Sequence, residues 1–272
     1  MQQITLPNGK ISSHLCRYFS IDSNLITSLM ENYLWFSTPS SFNDPYDCNI
    51  KLDIQKYSFK EIYKFLIKAY QNTPNKPSLL TEKDLLEKTK YYFNDPQSFT
   101  DIINQELASC MNDYGICCFS QNDNSILMWS HYAEKHKGLC LKFNINMDKR
   151  AFSTPFKVNY KKHLPKFNYI KYRLDYDLRR TQLTQFALGT KHKIWKYEDE
   201  VRIVKERSEG QYIGAISFNK SSLNEVIFGC KCQKEQINSI SKLLNCNGYC
   251  PKYYQMRLIE SDFILVKESI TT

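Results

Sequence analysis

Three consecutive acidic residues, at positions 198–200, run directly into an apolar stretch that is typical of a β-strand. Alternate residues of a strand face the same side, so we expect Glu198, Glu200 and Arg202 to share one face. A carboxylate held among aromatic rings and a guanidinium can stabilise developing positive charge or act as a general base. The alternative is a Glu–Arg pair on the surface, which contributes little to stability. We favour the chemical interpretation, because a tryptophan and a tyrosine stand just before the acids and make an unusual solvent face.

A second segment, residues 34–47, combines hydroxyl, amide and carboxylate groups. A predicted strand ends in Ser37 and Thr38, and a turn-rich loop then presents Asn43 before an Asp-Pro pair. The proline favours an extended backbone at Asp44, and Asn43 can hydrogen-bond the backbone of a turn. We expect Ser37 and Asn43 on the rim of a pocket. A well-built turn without a ligand is the alternative.

A third segment, residues 128–138, carries Trp129 and Tyr132 at helical spacing, with His131 further round the helix. Aromatic residues at this spacing are typical of a core, but they can also contact a ligand. His131 is either a satisfied core histidine or a group that donates to a phosphate or ribose hydroxyl, or polarises a substrate.

The cysteine pattern does not favour a metal site. Zinc ligands could come from Cys230, Cys232, Cys246 and Cys250, but their C-x-C and C-x3-C spacing departs from the familiar C-x2-C pairs. Ten cysteines in a chain with no evident signal peptide are typical of small buried hydrophobic side chains in a reducing compartment. We therefore predict no metal and a cytoplasmic location.

Composition excludes several functional classes. Hydrophobic residues make up 42% of the 272 residues and aromatic residues 14%, which is enough to build a sizeable core. Neither G-x-G-x-x-G nor G-x-x-x-x-G-K-[ST] occurs, which argues against the common nucleotide folds that rely on those loops. No apolar run reaches the roughly 18 residues that a membrane helix needs. We expect no membrane partner.

The positive charge of the chain is concentrated in one region. Residues 135–207 contain 19 Lys or Arg against 7 Asp or Glu, so this region carries the excess positive charge of a chain whose formal net charge is +9. Such a region suits a polyanionic partner, and we expect nucleic acid to bind there. The alternative is an ordinary lysine-rich solvated surface.

Hydrophobic periodicity and capping signals predict a mixture of helices and strands that do not alternate regularly. Predicted strands cover residues 15–19, 33–37, 115–120, 138–144, 156–160, 200–205, 212–218, 225–228, 253–258 and 263–266. Predicted helices begin after Asp22, at Ser58 (to about Tyr70), at Thr81, at Pro96 (to Met111) and after Asn124 or Ser125 (to about His136), and two more cover residues 173–188 and 234–244. We therefore predict one α+β domain over residues 1–272, with a helical insertion at about 51–111.

Four motifs of the chain resemble those of a widespread bacterial and phage domain family without established biochemistry. The family's K/R-Y strand stands here as Arg17-Tyr18, and its L-W-x-S-x-P-x-x-F-N-D-P loop as residues 34–45. Its M-W-x-H-Y-A…H-x-G and W-x-x-E-x-E-x-R segments stand as residues 128–138 and 195–202. The resemblance covers most of the chain except residues 51–111 and the C-terminal tail.

More distantly, the order of these elements resembles the ADP-ribosyltransferase plan, an α+β fold with a split mixed or antiparallel sheet that binds NAD without a glycine-rich loop. The resemblance implies that Arg17 or Tyr18 contacts the dinucleotide phosphates or ribose and that Ser37 and Thr38 support the nicotinamide. The S-T-S triplet of that plan is reduced here to Ser37-Thr38.

The same resemblance assigns the two glutamates. Glu200 would hold the ribose and stabilise an oxocarbenium-like transition state, and Glu198 would assist the acceptor nucleophile. We expect Asn43, Trp129, Tyr132 and Arg202 to complete the dinucleotide site. Each of these residues stands in one of the four motifs.

The leading hypothesis is therefore an enzyme that consumes NAD, either transferring ADP-ribose to a macromolecule such as nucleic acid or hydrolysing the dinucleotide. A toxin-like role in phage defence would suit such an activity. A non-enzymatic module that senses nucleic acid or nucleotides is a second hypothesis. A metal-independent nuclease that uses Glu198, Glu200 and His131 is a third.

Overall fold

The structure, a computed structural model, describes residues 9–48, 56–71, 81–164, 170, 186–207, 214–259 and 261–272. These residues form a large mixed sheet and several helices, so the predicted α+β class is confirmed. The strands are β1 (His14–Phe19), β2 (Tyr33–Trp35), β3 (Tyr114–Ser120), β4 (Leu139–Asn144), β5 (Phe156–Lys157), β6 (Asn159–Lys161), β7 (Thr190–His192), β8 (Glu200–Glu206), β9 (Ala215–Ser217), β10 (Leu223–Phe228), β11 (Lys252–Ile259) and β12 (Ile264–Ser269). The helices are α1 (Ser23–Met30), α2 (Phe59–Gln71), α3 (Glu82–Asn94), α4 (Pro96–Met111), α5 (Ile126–Tyr132) and α6 (Lys234–Cys246).

Helix starts follow the capping signals in the sequence. The carboxylate of Asp22 accepts a hydrogen bond from the backbone N–H of Leu25 at 2.9 Å, which caps α1. Thr81 and Asp84 form a reciprocal capping box at the start of α3. These predictions are confirmed.

The main sheet has eight strands in the order β12-β11-β10-β4-β1-β3-β8-β5. Its neighbours are antiparallel except for β10 and β11, which are parallel. The pairs β2–β9 and β6–β7 form two small sheets, the second of them parallel. A doubly wound parallel sheet is therefore absent from the described residues.

Hydrophobic residues are buried on both faces of the main sheet. Alternation along β1 sends Leu15 to one face and Cys16 to the other. The first face packs against α1 and α6, and the second packs against α5, whose Trp129 is fully buried. The sheet is thus fixed from both sides next to the site described below.

Helices α2, α3 and α4 follow one another between β2 and β3. They have a hydrophobic cluster of their own, which includes Ile62, Phe65, Phe99 and Ile103. This cluster also contains Ile170 and Phe186, so it packs against chain from beyond β6.

Three predicted boundaries are wrong. Helix α5 ends at Tyr132 instead of reaching His136, because residues 134–136 all have positive φ and reverse the chain. The predicted strand 156–160 is two strands in different sheets, β5 and β6. Strand β2 ends at Trp35, and Ser37 instead makes a single bridge to Ile116 of β3.

Two other predictions fall partly on residues that lie outside the described part of the chain. These are the helix over 173–188, of which only residues 186–188 are described as helical, and the start of the strand over 212–218. Among the described residues, no helix is both long and apolar enough to span a membrane.

Candidate active site

A cavity of about 250 Å³ opens where β1 and β3 diverge. The two strands are neighbours in the sheet, but their register contains a single pair, Cys16 with Ser120. Beyond that pair, β1 stays bonded to β4 and β3 stays bonded to β8, which leaves a split between them. The cavity is lined by Cys16, Arg17, Tyr18, Ser37, Phe42, Asn43, Asp47, Ile116, Cys118, Phe119, Ser120, Met128, Tyr132, Lys191, Glu198 and Glu200.

A buried cluster of five charged side chains borders the cavity, and four of the five line it. The Lys191 ammonium lies 2.5 Å from Glu198 Oε2, 3.1 Å from Glu200 Oε2 and 3.4 Å from Asp47 Oδ2. Arg202 donates from Nε to Glu200 Oε1 at 2.8 Å and from Nη2 to Asp47 Oδ2 at 2.7 Å. All five side chains are at most 6% exposed, so solvent screens these interactions little.

The backbone around Asp199 brings the two glutamates to the same lysine. Glu198 ends a 3-10 turn (Lys193–Glu198), Asp199 adopts a left-handed conformation with φ 41°, and Glu200 begins β8. The predicted strand face that holds Glu198, Glu200 and Arg202 is therefore wrong for Glu198, which precedes the strand. It is right for Glu200 and Arg202, which are two residues apart on β8 and bond each other.

Neighbouring groups fix the position of each glutamate. The Ser120 hydroxyl donates to the carbonyl of Glu198 at 2.6 Å, and the Tyr132 hydroxyl donates to Glu198 Oε1 at 2.6 Å. The backbone N–H of Glu200 donates to the Tyr160 hydroxyl at 2.9 Å. The two glutamates are thus held by β3, α5 and β6 together, through one carboxylate oxygen and two backbone groups.

The segments 34–47 and 195–202 are joined directly. Trp195 Nε1 donates to Asp44 Oδ2 at 2.7 Å, and the Lys191 ammonium lies 5.1 Å from the centre of the Trp195 ring. The Arg202 guanidinium in turn lies 5.4 Å from the Phe42 ring centre. These contacts hold the loop after β2 over the charged cluster.

The cluster holds one more negative charge than positive when all its groups are ionised, since three carboxylates face one lysine and one arginine. Burial would raise the pKa of Glu200, but Arg202 and Lys191 outweigh burial and lower that pKa to about 2. Burial does raise the pKa of Glu198; Lys191 opposes this shift, and the charge of Glu200 reinforces it. The pKa values of the two carboxylates are therefore shifted in opposite directions. Glu200 is ionised, and Glu198 is the readier proton acceptor.

Arg17 places a positive charge on the lining of the same cavity. Its Nη1 donates to Cys117 Sγ at 2.6 Å and to the carbonyl of Trp35 at 3.3 Å. Among the described residues no carboxylate lies within ion-pair distance of it. The guanidinium can therefore take an anionic group of a ligand.

Most of the residues predicted from the motifs come together here. Tyr18, Ser37, Asn43 and Tyr132 line the cavity together with both glutamates and Arg17. Tyr18 is nearly buried, and its hydroxyl donates to the carbonyl of Asn122 at 2.7 Å, so only part of its ring is available to a ligand.

Four predicted residues are not among those that line the cavity. Thr38 immediately precedes a short 3-10 turn (Pro39–Ser41) and makes no side-chain hydrogen bond that caps it. Trp129 is fully buried, with its Nε1 donating to the carbonyl of Asp123. Arg202 is also fully buried and acts on Glu200 from behind the cavity. His131 is exposed, and its ring centre lies 6.1 Å from that of Tyr197.

Lys191 and Asp47 are the site residues that the motif analysis missed. Asp47 ends the segment 34–47, but no neighbouring residue distinguishes it from other acidic residues in loops. Lys191 lies among several lysines, and its burial depends on the pairing of β7 with β6, which the sequence pattern did not predict.

The described cysteines are not grouped as metal ligands. No group of three or more His, Cys, Asp or Glu within the described ranges is arranged to hold a metal ion. Cys230, Cys232, Cys246 and Cys250 are all described and carry no disulfide. Burial raises the pKa of the Cys118 thiol that lines the cavity, so this cysteine is a poor nucleophile.

The basic region 135–207 divides into buried and exposed cations. Lys191 and Arg202 belong to the acidic cluster, and Lys142 lies in a half-buried network with Asp123 and Glu225. These three cations are paired within the fold, so any polyanion would have to use the remaining ones.

Comparison with known proteins gives a match over part of the chain. A family model described as "Protein of unknown function (DUF2971)" matches residues 128–203, which is less than half of the chain. The matched residues contain Tyr132, Lys191, Glu198 and Glu200. No curated protein and no solved structure matches the chain significantly. Over residues 128–203 the chain is therefore similar to a family whose description states no activity.

Proposed function

We propose that the chain cleaves the bond between nicotinamide and ribose in NAD, and transfers ADP-ribose to a macromolecule or to water. The observation that carries the proposal is the charge pattern of the cavity. Arg17 lines it without a carboxylate partner among the described residues, and the lining also includes an acidic cluster with one excess negative charge. The nicotinamide end of NAD is itself a zwitterion, with a positive ring and an anionic phosphate on either side of a ribose.

The size of the cavity supports binding of one end of the dinucleotide. A volume of about 250 Å³ lies just below the range of roughly 300–1,000 Å³ that encloses most cofactors and drug-sized ligands. We therefore expect the nicotinamide and its ribose to be enclosed and the adenosine half to extend from the opening. Phe42 and Tyr132 offer aromatic surface for the enclosed ring.

The two glutamates suit the two halves of the reaction. When the glycosidic bond breaks, its electron pair leaves with nicotinamide, which becomes neutral, and positive charge develops on the ribose. Glu200, with a pKa of about 2, stays ionised and stabilises that charge. Glu198, whose pKa is raised, accepts the proton that the attacking hydroxyl group loses as its oxygen bonds to the ribose.

The remaining residues bind and position the substrate. Arg17 pairs with the phosphate beside the nicotinamide ribose, and Ser37 and Asn43 hydrogen-bond the carboxamide or the ribose hydroxyls. Lys191 is a positioning residue, because its ammonium bonds both glutamates and fixes their separation.

The test is release of nicotinamide from NAD by the purified full-length chain, alone and with RNA, DNA or cell lysate as acceptor. We expect release by the wild type and a loss of about 100-fold or more in Glu198→Gln and Glu200→Gln. Glu225→Gln is the matched control, because Glu225 lies in the separate network with Lys142 and Lys267. Absence of release in every condition, or undiminished release by Glu200→Gln, would overturn the proposal.

Consumption of NAD would harm a cell that makes the protein, which suits the role in phage defence predicted from the sequence. Expression of the wild type and of Glu200→Gln in a bacterial host tests this separately. We expect the wild type alone to slow growth and to lower cellular NAD.

A further inference from the structure

An exposed basic surface lies beside the cavity, on the parallel pair β6–β7. Lys161 of β6 is paired with His192 of β7, and an exposed lysine follows each strand, Lys162 after β6 and Lys193 after β7. Lys196 is exposed on the 3-10 turn that follows. We call these five residues the β6–β7 basic surface.

The charges of this surface are not neutralised within the described part of the chain. None of its lysines lies within ion-pair distance of a described carboxylate. The acids of the adjoining segment point elsewhere, since Glu198 and Glu200 are buried around Lys191. Asp199 is exposed and accepts a hydrogen bond from Gln121 Nε2, so the surface sets four lysines against this one exposed acid of the segment. The surface is therefore electropositive.

Aromatic rings border these lysines. The ring centres of Trp195 and Tyr197 lie 6.1 Å apart, and Tyr197 lies 6.1 Å from His131. His131 is exposed, Trp195 and Tyr197 are partly exposed, and Ile194 on the same turn is 68% exposed. A row of accessible rings next to unpaired cations is the arrangement that single-stranded nucleic acids use, with bases stacked and phosphates on lysines.

We propose that the β6–β7 basic surface binds single-stranded nucleic acid. Its phosphates contact Lys162, Lys193 and Lys196, and its bases stack on Tyr197 and His131. A duplex keeps its base faces covered and gains only the phosphate contacts. An acidic polypeptide likewise has little to place on the rings.

The 3-10 turn connects this surface to the cavity, because it carries Lys193 and Lys196 outside and ends in Glu198 inside. A strand bound on the surface would thus reach the mouth of the cavity beside the proposed proton acceptor. That the bound nucleic acid is also the acceptor of ADP-ribose rests on the proposed function. The binding of nucleic acid to this surface does not depend on that function.

The test is fluorescence anisotropy with labelled single-stranded DNA, single-stranded RNA and duplex DNA. Each probe is longer than the roughly 4–16 nucleotides that a single-strand-binding domain typically covers. No dinucleotide is present, so the outcome is independent of nicotinamide release. One triple variant carries Lys162→Ser, Lys193→Ser and Lys196→Ser. The matched control carries three exposed lysines of α6 and β11 changed in the same way, Lys234→Ser, Lys242→Ser and Lys252→Ser.

We expect single strands to bind more tightly than the duplex, with affinity that falls steeply as salt rises. The surface triple variant should bind at least about tenfold more weakly, and its salt dependence should become shallower by about 0.7 in log–log slope for each lost phosphate contact. The control variant should bind within twofold of the wild type. Tyr197→Ala should weaken single-strand binding by about fivefold or more and leave duplex binding unchanged.

Equal weakening in both triple variants would overturn the proposal, and so would absence of single-strand binding. Displacement of the oligonucleotide by polyglutamate at equal charge concentration would instead identify an acidic polypeptide as the partner. A difference in affinity between single-stranded DNA and single-stranded RNA would show which of the two the surface prefers.

Discussion

Arg202→Met tests whether the charged cluster is held together as described. The guanidinium is fully buried and bonds Glu200, Asp47 and the carbonyl of Leu188. Methionine fills similar space but leaves two buried carboxylates with Lys191 as their remaining cation. Removal of one partner from a buried ion pair costs about 3–5 kcal/mol. We expect the free energy of unfolding at pH 7 to fall by that amount.

The pKa of Glu200 gives an independent magnitude. A decrease from 4.5 to about 2 on folding corresponds to about 3 kcal/mol of stability at neutral pH. Because the folded-state pKa is depressed, this contribution is present above pH 4.5 and is lost as the pH falls towards 2. Arg202 and Lys191 produce this shift together against burial, so the loss of Arg202 removes part of this contribution.

The variant should also reverse the pH dependence. Without the guanidinium, Lys191 alone opposes burial and the repulsion between Glu198 and Glu200, so the pKa of Glu200 rises above its ordinary value and the folded state takes up a proton more readily than the unfolded chain. The stability of Arg202→Met should therefore increase as the pH falls from 7 towards 4.5. The difference in the free energy of unfolding between the variant and the wild type should become smaller over the same pH range.

Urea unfolding at pH 7 and pH 5, followed by circular dichroism, measures both effects. Arg257→Met is the control, because the Arg257–Glu268 pair is about half exposed and should contribute less than about 1 kcal/mol at either pH. A loss below about 1 kcal/mol for Arg202→Met at pH 7, or the same loss at both pH values, would refute the reasoning.

Three further predictions concern single groups. Tyr132→Phe removes a hydrogen bond that lowers the pKa of Glu198, so the acid limb of the pH profile for nicotinamide release should move to higher pH; an unchanged limb would exclude Glu198 as the base. Arg17→Met should raise KM for NAD by about tenfold or more and change kcat little, because a hydrogen bond to a charged group contributes about 1.5–3 kcal/mol. Steady-state kinetics measure KM and kcat separately. A loss confined to kcat would contradict a binding role for Arg17. Gly138→Ala would place a methyl group 2.1 Å from the backbone oxygen of Phe19, which cannot move aside cheaply. It should destabilise the protein by about 3 kcal/mol or more in urea unfolding. Gly248→Ala, which meets open space at φ +76°, should cost only about 1–2 kcal/mol from backbone strain, and equal losses in the two alanine variants would contradict the close approach at Gly138.

Local signals predicted the helices well. A cap such as Asp22, or a pair such as Thr81 and Asp84, depends on residues only three positions apart, so the sequence contains the whole interaction. The end of α5 was missed because the reversal at residues 134–136 uses left-handed residues none of which is glycine. Nothing in the local sequence marks such a turn.

The sequence predicts several residues of the site but not the contacts that connect them. Unusual residue combinations pointed to Ser37, Glu198 and Glu200, and the resemblance to the ADP-ribosyltransferase plan pointed to Arg17. All four line one cavity. Lys191 could not be found in this way, because its role arises from a parallel strand pair and a buried position. Long-range pairing of this kind leaves no periodic pattern in the chain.

The most direct measurement of the central claim compares the two charge states of the nicotinamide ring. A carbocyclic analogue of the dinucleotide, whose nicotinamide bond resists hydrolysis, can be titrated calorimetrically in its oxidised and reduced forms. If the excess negative charge of the cluster recognises the positive ring, the oxidised form should bind about tenfold or more tightly, a difference of about 1.4 kcal/mol, and Glu198→Gln should reduce this preference. Equal affinities for the two forms, or tighter binding of the reduced one, would contradict the account.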